Sequence, residues 1–478
     1  MESKIIVLGG GPGGCAAAFA AARGGAKVTL VERARLGGTC LNVGCIPTKT
    51  ILRSAHSVHE LKRAARFGVG SSDDGVSEGA HAALTSEKRR PSLDVQVLRR
   101  RKEAIVDELV GQVEDSTRRL NIEVREGSGR LTAPHELTVR GGDGNEAVLD
   151  FDALIIATGS VPFVLPTLNE PFVWTSDDAV SLREIPESII IIGGGVIGVE
   201  FACAYAAFGV QVSVVELAPT LLPGFDRRVV TTLAQSLREQ GIDLYLGDSV
   251  QAVAMDADGK ATATLSSGAE LHAAVIMSAV GRVPHTADFG FDELGLEFDR
   301  RALAVDEYFR TSLPGIYAVG DAIGGVMLAH AAEAEGEAAA ENALAELEGA
   351  APTATVDVNL IPGCVYTLPE VAVVGLSPAA AQAAGIKAVS GVAKYAGNGK
   401  ALAEGEGEGF VQLVADKSSG ALLGAQIVGA KAVELIALLS QALAEGAGVD
   451  VLAQRVYAHP TLSELVKSAA RIVKGKLS

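Results

Sequence analysis

Cys40 and Cys45 are separated by Leu41, Asn42, Val43 and Gly44, with Gly37, Gly38 and Thr39 before them and Ile46, Pro47, Thr48 and Lys49 after. Two cysteines five positions apart in a regular helix stand roughly 8–9 Å from one another, beyond the roughly 7 Å that a disulfide tolerates. A bridge between them therefore needs an irregular turn. Gly44 offers backbone freedom for it, and Pro47 suits the first turn of a helix. Cys45 then lies near a helix N-terminus, where the dipole favours a thiolate. The pair reads as a redox-active disulfide, the alternative being two small buried residues in a glycine-rich loop.

Exchange between thiols and disulfides also needs a group to take up and return a proton. His459-Pro460-Thr461-Leu462-Ser463-Glu464 supplies one. A histidine titrates in the right range, and a carboxylate on its other nitrogen orients it. His459 is the candidate base and Glu464 its partner. Thr461 to Glu464 also spells a helix capping box, so a capped helix beside a surface histidine would use the same residues.

Two further segments must position these groups, and they echo one another. Lys4 to Leu8 is apolar and is followed by Gly9-Gly10-Gly11-Pro12-Gly13-Gly14, an alanine-rich helix and a strand ending in Glu32. Ile189 to Ile192 is followed by Gly193-Gly194-Gly195-Val196-Ile197-Gly198, a helix and a strand ending in Glu216. As many positions separate Gly9 from Glu32 as Gly193 from Glu216. Each is a strand–helix–strand unit with a dinucleotide fingerprint, Gly9, Gly11, Gly14 and Glu32 in one, Gly193, Gly195, Gly198 and Glu216 in the other. The glycines allow close backbone approach, the helix N-terminus holds pyrophosphate and the acid accepts from a ribose. Two nucleotides are implied. Glu216 repels a 2′-phosphate, and Leu217, Ala218 and Pro219 bring no arginine, so NAD is expected over NADP.

The chain has 478 residues, and this length suggests about three domains. Hydrophobic residues make up 48% and charged ones 21%, the balance of a soluble globular protein. A net charge of −17 argues against nucleic acid and anionic membrane surfaces as partners. No run is long enough to span a membrane, Met1 to Lys4 leads straight into a strand rather than a signal sequence, and five cysteines suit a reducing compartment. A cytoplasmic location, or an organelle matrix after processing, is expected. Cys15, Cys203 and Cys364 read as small structural hydrophobes, and no cluster has metal-ligand spacing. Ser71 to Pro91 is polar and breaker-rich and reads as a surface excursion. From about residue 354 the pattern changes to strands and hairpins and then to helices.

The cysteine segment resembles the active-site segment of the pyridine nucleotide-disulfide oxidoreductases, and Leu41, Val43, Ile46 and Pro47 look most like the dihydrolipoamide dehydrogenase branch of that family. The resemblance covers nearly the whole chain and implies an α/β fold. Two Rossmann-like dinucleotide-binding domains would be joined to an α+β C-terminal dimerisation domain. The expected ranges are 1–160 for the first part of the FAD-binding domain, 161–282 for the NAD-binding domain, 283–352 for the second, central FAD part and 353–478 for the interface. The first fingerprint matches the family's FAD site, completed by Thr158, Gly159 and Ser160, by Asp321 after its strand, and by Met327, Leu328, Ala329 and His330 along the flavin. The second matches the NAD site, closed by Gly281 and Arg282, although His285 stands where the family often has Asn. Lys49 is implied to approach the flavin and Glu200 to pair with it near the nicotinamide.

What the resemblance implies is oxidation of dihydrolipoamide, free or on a lipoyl-bearing protein, with reduction of NAD. Cys40 would exchange with lipoyl sulfur and Cys45 would face the flavin. His459 would come from the partner subunit of a homodimer, so the active site would be shared between subunits. Tyr457 departs from the pattern, since these dehydrogenases usually have a second histidine there. Another disulfide or sulfur-compound reductase of the same family, and a mainly docking flavoprotein subunit of a lipoyl-dependent complex, are the alternatives.

Overall fold

Lys4 to Leu8 and Ser188 to Ile192 are short runs of β-branched and aliphatic residues whose last four side chains are fully enclosed or nearly so. Runs of this kind suit the centre of a parallel sheet covered on both faces, and both occupy that place. The computed structural model describes residues 3–69 and 93–477. The Ser71 to Pro91 excursion lies outside them.

The chain divides into two units, the first made of Met1–Thr48, Arg99–Phe163 and Gly281–Val358. Its main sheet is wholly parallel and runs in the order Ile316–Ala318, Ala153–Ile156, Lys4–Leu8, Lys27–Glu32, Glu123–Glu126. The helices Pro12–Arg23 and Ala329–Leu347 pack on one another, and an alanine-rich core including Ala17, Ala21, Ala339 and Ala343 forms around them. A three-stranded antiparallel sheet, Ser128–Ala133, Glu136–Arg140 and Glu146–Asp150, covers the other face through Leu131, Leu137 and Val139.

The second unit comprises Lys49–Leu98, Val164–Val280 and Asn359–Ser478. It holds another parallel sheet, in the order Asp243–Leu246, Gln211–Glu216, Ser188–Ile192, Val275–Ser278, Val173–Trp174. An antiparallel five-stranded sheet follows in sequence, in the order Gly363–Val365, Val371–Gly375, Leu422–Val428, Phe410–Asp416, Ala388–Lys394. The helices Ala432–Ala444, Val449–Gln454 and Glu464–Leu477 share one core with that sheet.

Arg282–Pro284 pairs with Ser160–Pro162, and the N–H of Phe163 donates to the carbonyl of Gly281 at 3.0 Å, so these residues belong to the first unit. Among the described residues, no helix is long and apolar enough to cross a membrane.

Candidate active site

The cysteine segment is two helices with a break between them. Gly38–Asn42 is a five-residue helix carrying Cys40, and Cys45 opens the helix Cys45–Arg63. Val43 and Gly44 make the break, so Cys40 and Cys45 form a close, half-buried pair that a continuous helix would hold apart. Gly44 is required for a reason other than freedom of φ, which is not positive there. A Cβ at this position would stand 2.8 Å from the carbonyl oxygen of Thr39. The hydroxyl of Thr48 donates to the Gly44 carbonyl at 2.7 Å and closes the first turn beneath Cys45. Asn42 Nδ2 donates to the carbonyls of Leu36 and Gly38 at 3.0 and 2.9 Å, which fixes the short helix from its other side.

In the first unit both halves of the flavin signature meet. Gly9 sits at φ +109°, where a side chain would be strained, and its loop leads into the helix Pro12–Arg23. Glu32 accepts from the N–H groups of Gly10 and Ala34 at 2.7 and 2.9 Å. Beside it lies a cavity of about 420 Å³ lined by Arg35, Leu36, Arg118, Ile122, Val124 and Glu126 among others, a size that takes a nucleoside. These lining residues carry no motif. The clue in the sequence is only that a third parallel strand must end beside Glu32, and Glu126 is its partner in register.

Asp321 lies in a 3-10 turn after Ile316–Ala318 and accepts from the hydroxyl of Ser160. Thr158 Oγ1 is buried without a hydrogen-bond partner among the described residues, a polar atom that a bound group could satisfy. Leu328 caps the helix that begins with Ala329 and His330, preceded by Met327 at φ +48°. These features fit FAD. Arg282, expected beside the nicotinamide segment, donates through Nε to Ser160 Oγ at 2.8 Å and through Nη2 to the Ser160 carbonyl at 2.7 Å. It also reaches Thr39 Oγ1 at 3.4 Å. Gly281, next to it, has φ +113°.

The second unit repeats the nucleotide loop. Gly193 has φ +110°, and Glu216 accepts from the N–H groups of Gly194 and Ala218 at 2.6 and 2.7 Å. Gly195 caps the helix Val196–Ala207, in whose first turn Gly198 is buried. Farther along the same helix, Glu200 is 2% exposed, and Lys49 Nζ donates to its two oxygens at 3.0 and 2.9 Å. The pairing of these two residues, 151 positions apart, is invisible to any local pattern.

His459 and Glu464 also meet. Nδ1 stands 3.1 Å from one carboxylate oxygen and 3.2 Å from the other. A carboxylate accepts only, so Nδ1 is the donor of this bond and Nε2 faces away from it. Glu464 accepts from the N–H of Thr461 at 3.0 Å as well, half of the expected capping box, while the Thr461 hydroxyl turns to the carbonyl of Ala458. Together these bonds hold the Glu464 carboxyl below the usual range, with the Thr461 N–H the larger cause. Asn398 donates to the Thr461 carbonyl at 3.0 Å and anchors the loop.

The remaining cysteines differ from this pair. Burial pushes the thiols of Cys15 and Cys203 up to about 12, which leaves them inert at neutral pH. Among the described residues, no group of His, Cys, Asp and Glu is arranged to hold a metal ion.

Comparison with known proteins places this geometry in a family. Residues 3–336 match the pyridine nucleotide-disulphide oxidoreductase family and residues 361–470 its dimerisation domain. The chain belongs to this family. The family and its dihydrolipoyl dehydrogenases use FAD and NAD, and the dimerisation domain supports a homodimer. A dihydrolipoyl dehydrogenase from Chlorobaculum parvum is 40% identical over 98% of this chain and 96% of its own. One from Haloferax volcanii is 37% identical over 99% and 97%. The structure of LpdA from Mycobacterium tuberculosis superposes with a TM-score of 0.88 at 26% identity, covering 98% of this chain and 99% of that one. A HOCl-induced flavoprotein disulfide reductase, RclA from Escherichia coli, gives 0.84 at 26% identity, over 98% and 100%. The oxidoreductase family thus accounts for the sheets, both nucleotide loops and the C-terminal domain together.

Proposed function

We propose that this flavoenzyme oxidises dihydrolipoamide to lipoamide and reduces NAD. The observation that carries the reading is that the close Cys40–Cys45 pair and the His459–Glu464 pair lie in one chain matched end to end by relatives named dihydrolipoyl dehydrogenase.

His459 Nε2 removes a proton from the substrate dithiol. The resulting thiolate attacks Cys40 Sγ, breaks the Cys40–Cys45 bond and releases Cys45 as thiolate, forming a mixed disulfide. The second substrate sulfur then displaces Cys40, so lipoamide leaves as a disulfide and its two electrons stay on the cysteines. FAD, held by the loop of Gly9, Gly11 and Gly14 with Glu32 and Asp321, would supply the two-electron carrier between the reduced cysteine pair and NAD. Glu464 keeps the His459 tautomer fixed throughout. Lys49, held by Glu200, places a cation one helical turn beyond Cys45.

His459 is 80% exposed and the nearby Val456 90% exposed, which supports a role for both at a surface completed by a second subunit. The lipoyl group would be presented free or on a carrier protein. The sequence composition supports a cytoplasmic location.

The likeness to the Escherichia coli flavoprotein disulfide reductase carries a second reading, an NAD(P)H-dependent reductase of another disulfide or sulfur compound. Anaerobic titration with dihydrolipoamide separates the two. A long-wavelength thiolate–flavin band, followed by NADH on addition of NAD, supports the dehydrogenase. A flavin that ignores dihydrolipoamide and is reduced by NADH supports the second reading.

A further inference from the structure

Glu200 accepts a third hydrogen bond besides the two from the Lys49 ammonium. The backbone N–H of Tyr366 donates to Glu200 Oε1 at 2.9 Å. The ring of the same residue lies under the ammonium, with Lys49 Nζ 4.5 Å from its centroid. One residue therefore fixes both members of the ion pair, the acid through its main chain and the cation through its π face.

Tyr366 is itself held firmly. It follows the strand Gly363–Val365, and the next residue, Thr367, is wholly enclosed with its hydroxyl donating to the Pro369 carbonyl at 2.7 Å. The carbonyl of Leu368 accepts from Gln240 Nε2 at 2.5 Å. A lysine side chain has ample rotamer freedom, and Lys49 is still 30% exposed with both partners in contact, so the carboxylate of Glu200 and the ring face of Tyr366 bound it on two sides.

Lys49 follows Cys45 by four residues in one helix, and residues at that spacing are neighbours on the helix surface. We propose that Tyr366 is a positioning residue of the redox centre: its ring and its backbone N–H together fix the Lys49 ammonium on Glu200, one turn from Cys45, and so set the acidity of the Cys45 thiol. The proposal rests on Cys45 being the thiol that faces the flavin.

The test uses the purified holoenzyme reduced anaerobically with dihydrolipoamide, reading the long-wavelength band against pH. Lys49→Met removes the cation and raises the pH midpoint of the band by about one unit. Tyr366→Leu raises it in the same direction by a smaller amount, and Tyr366→Phe, which keeps ring and N–H, restores the parent midpoint. Tyr366→Met gives the same answer as leucine should that variant not fold. Cys364→Ala, a truncation two residues away, controls for loosened packing and leaves the midpoint in place while lowering Tm.

If Lys49→Met shifts the midpoint and neither Tyr366→Leu nor Tyr366→Met does, the proposal is overturned and the role of Lys49 stands. If Tyr366→Phe shifts it as far as leucine, the hydroxyl and not the ring is responsible, and the proposal again fails. If Lys49→Met itself has no effect, the role given to Lys49 falls first and the proposal with it.

Discussion

Glu464 accepts from His459 Nδ1 at 3.1 Å with a carboxylate that also accepts the Thr461 N–H at 3.0 Å. One side chain thus closes half of a capping box and holds the imidazole at Nδ1, so the two readings of its motif share the same carboxylate. Replacing His459 by glutamine removes the base and is expected to lower kcat by about 10²- to 10⁴-fold. Glu464→Gln keeps an acceptor for Thr461 and loses the charge, and it should lower kcat less while shifting the acid limb of the pH–rate profile. Steady-state rates across pH check both. The Glu464 carboxyl is held below its unfolded value, so its contribution to stability is present above that value and disappears as pH falls through the native one.

Gly44→Ala is expected to destabilise the fold by about 1–3 kcal/mol, because its Cβ has the Thr39 oxygen 2.8 Å away and backbone cannot yield easily. Chemical denaturation measures the loss. A stability equal to that of the parent would show that the break between the two helices has room to relax.

Glu216→Ala removes the acceptor from the Gly194 and Ala218 N–H groups and, in the proposed NAD site, the carboxylate that would face the ribose. KM for NAD should rise roughly 10- to 100-fold, the loss of a hydrogen bond to a charged group. NADP should gain relative to NAD, since the like charge facing its phosphate is gone. Initial rates with both nucleotides give the ratio, and an unchanged preference would remove Glu216 from specificity.

Glu335 is buried on the helix Ala329–Leu347 and accepts from the Gly320 N–H at 2.7 Å, next to Asp321. Burial raises its pKa, and the Asp321 charge adds to this. A raised carboxyl contributes stability that is present below the unfolded value, near 4.5, and is lost as pH rises through the native one. Glu335→Gln keeps the acceptor without the charge. Its Tm should exceed that of the parent at neutral pH and converge with it in acid.

Both nucleotide loops were legible in sequence because each is local: strand, glycines, helix and closing acid are consecutive, and the register Lys4↔Lys27 is matched by Ser188↔Gln211. The Cys40–Cys45 turn was legible for the same reason, although Gly44 is needed for space rather than for its dihedral range. Arg282 and Tyr366 were not. Arg282 reaches a residue 122 positions away and Tyr366 one 166 positions away, and nothing in their neighbours specifies either contact. The lining of the cavity beside Glu32 was hidden likewise, since Ile122 and Val124 read as ordinary strand residues until the sheet sets them beside that loop.

Glu32 and Glu216 each spend one oxygen on the loop that precedes them, at Gly10 and Gly194. Each glycine loop is thereby braced by the chain itself, through a carboxylate at the end of the following strand. With the second loop as the proposed NAD seat, that bracing lowers the ordering cost each time a nucleotide docks, which matters most for the one exchanged at every turnover.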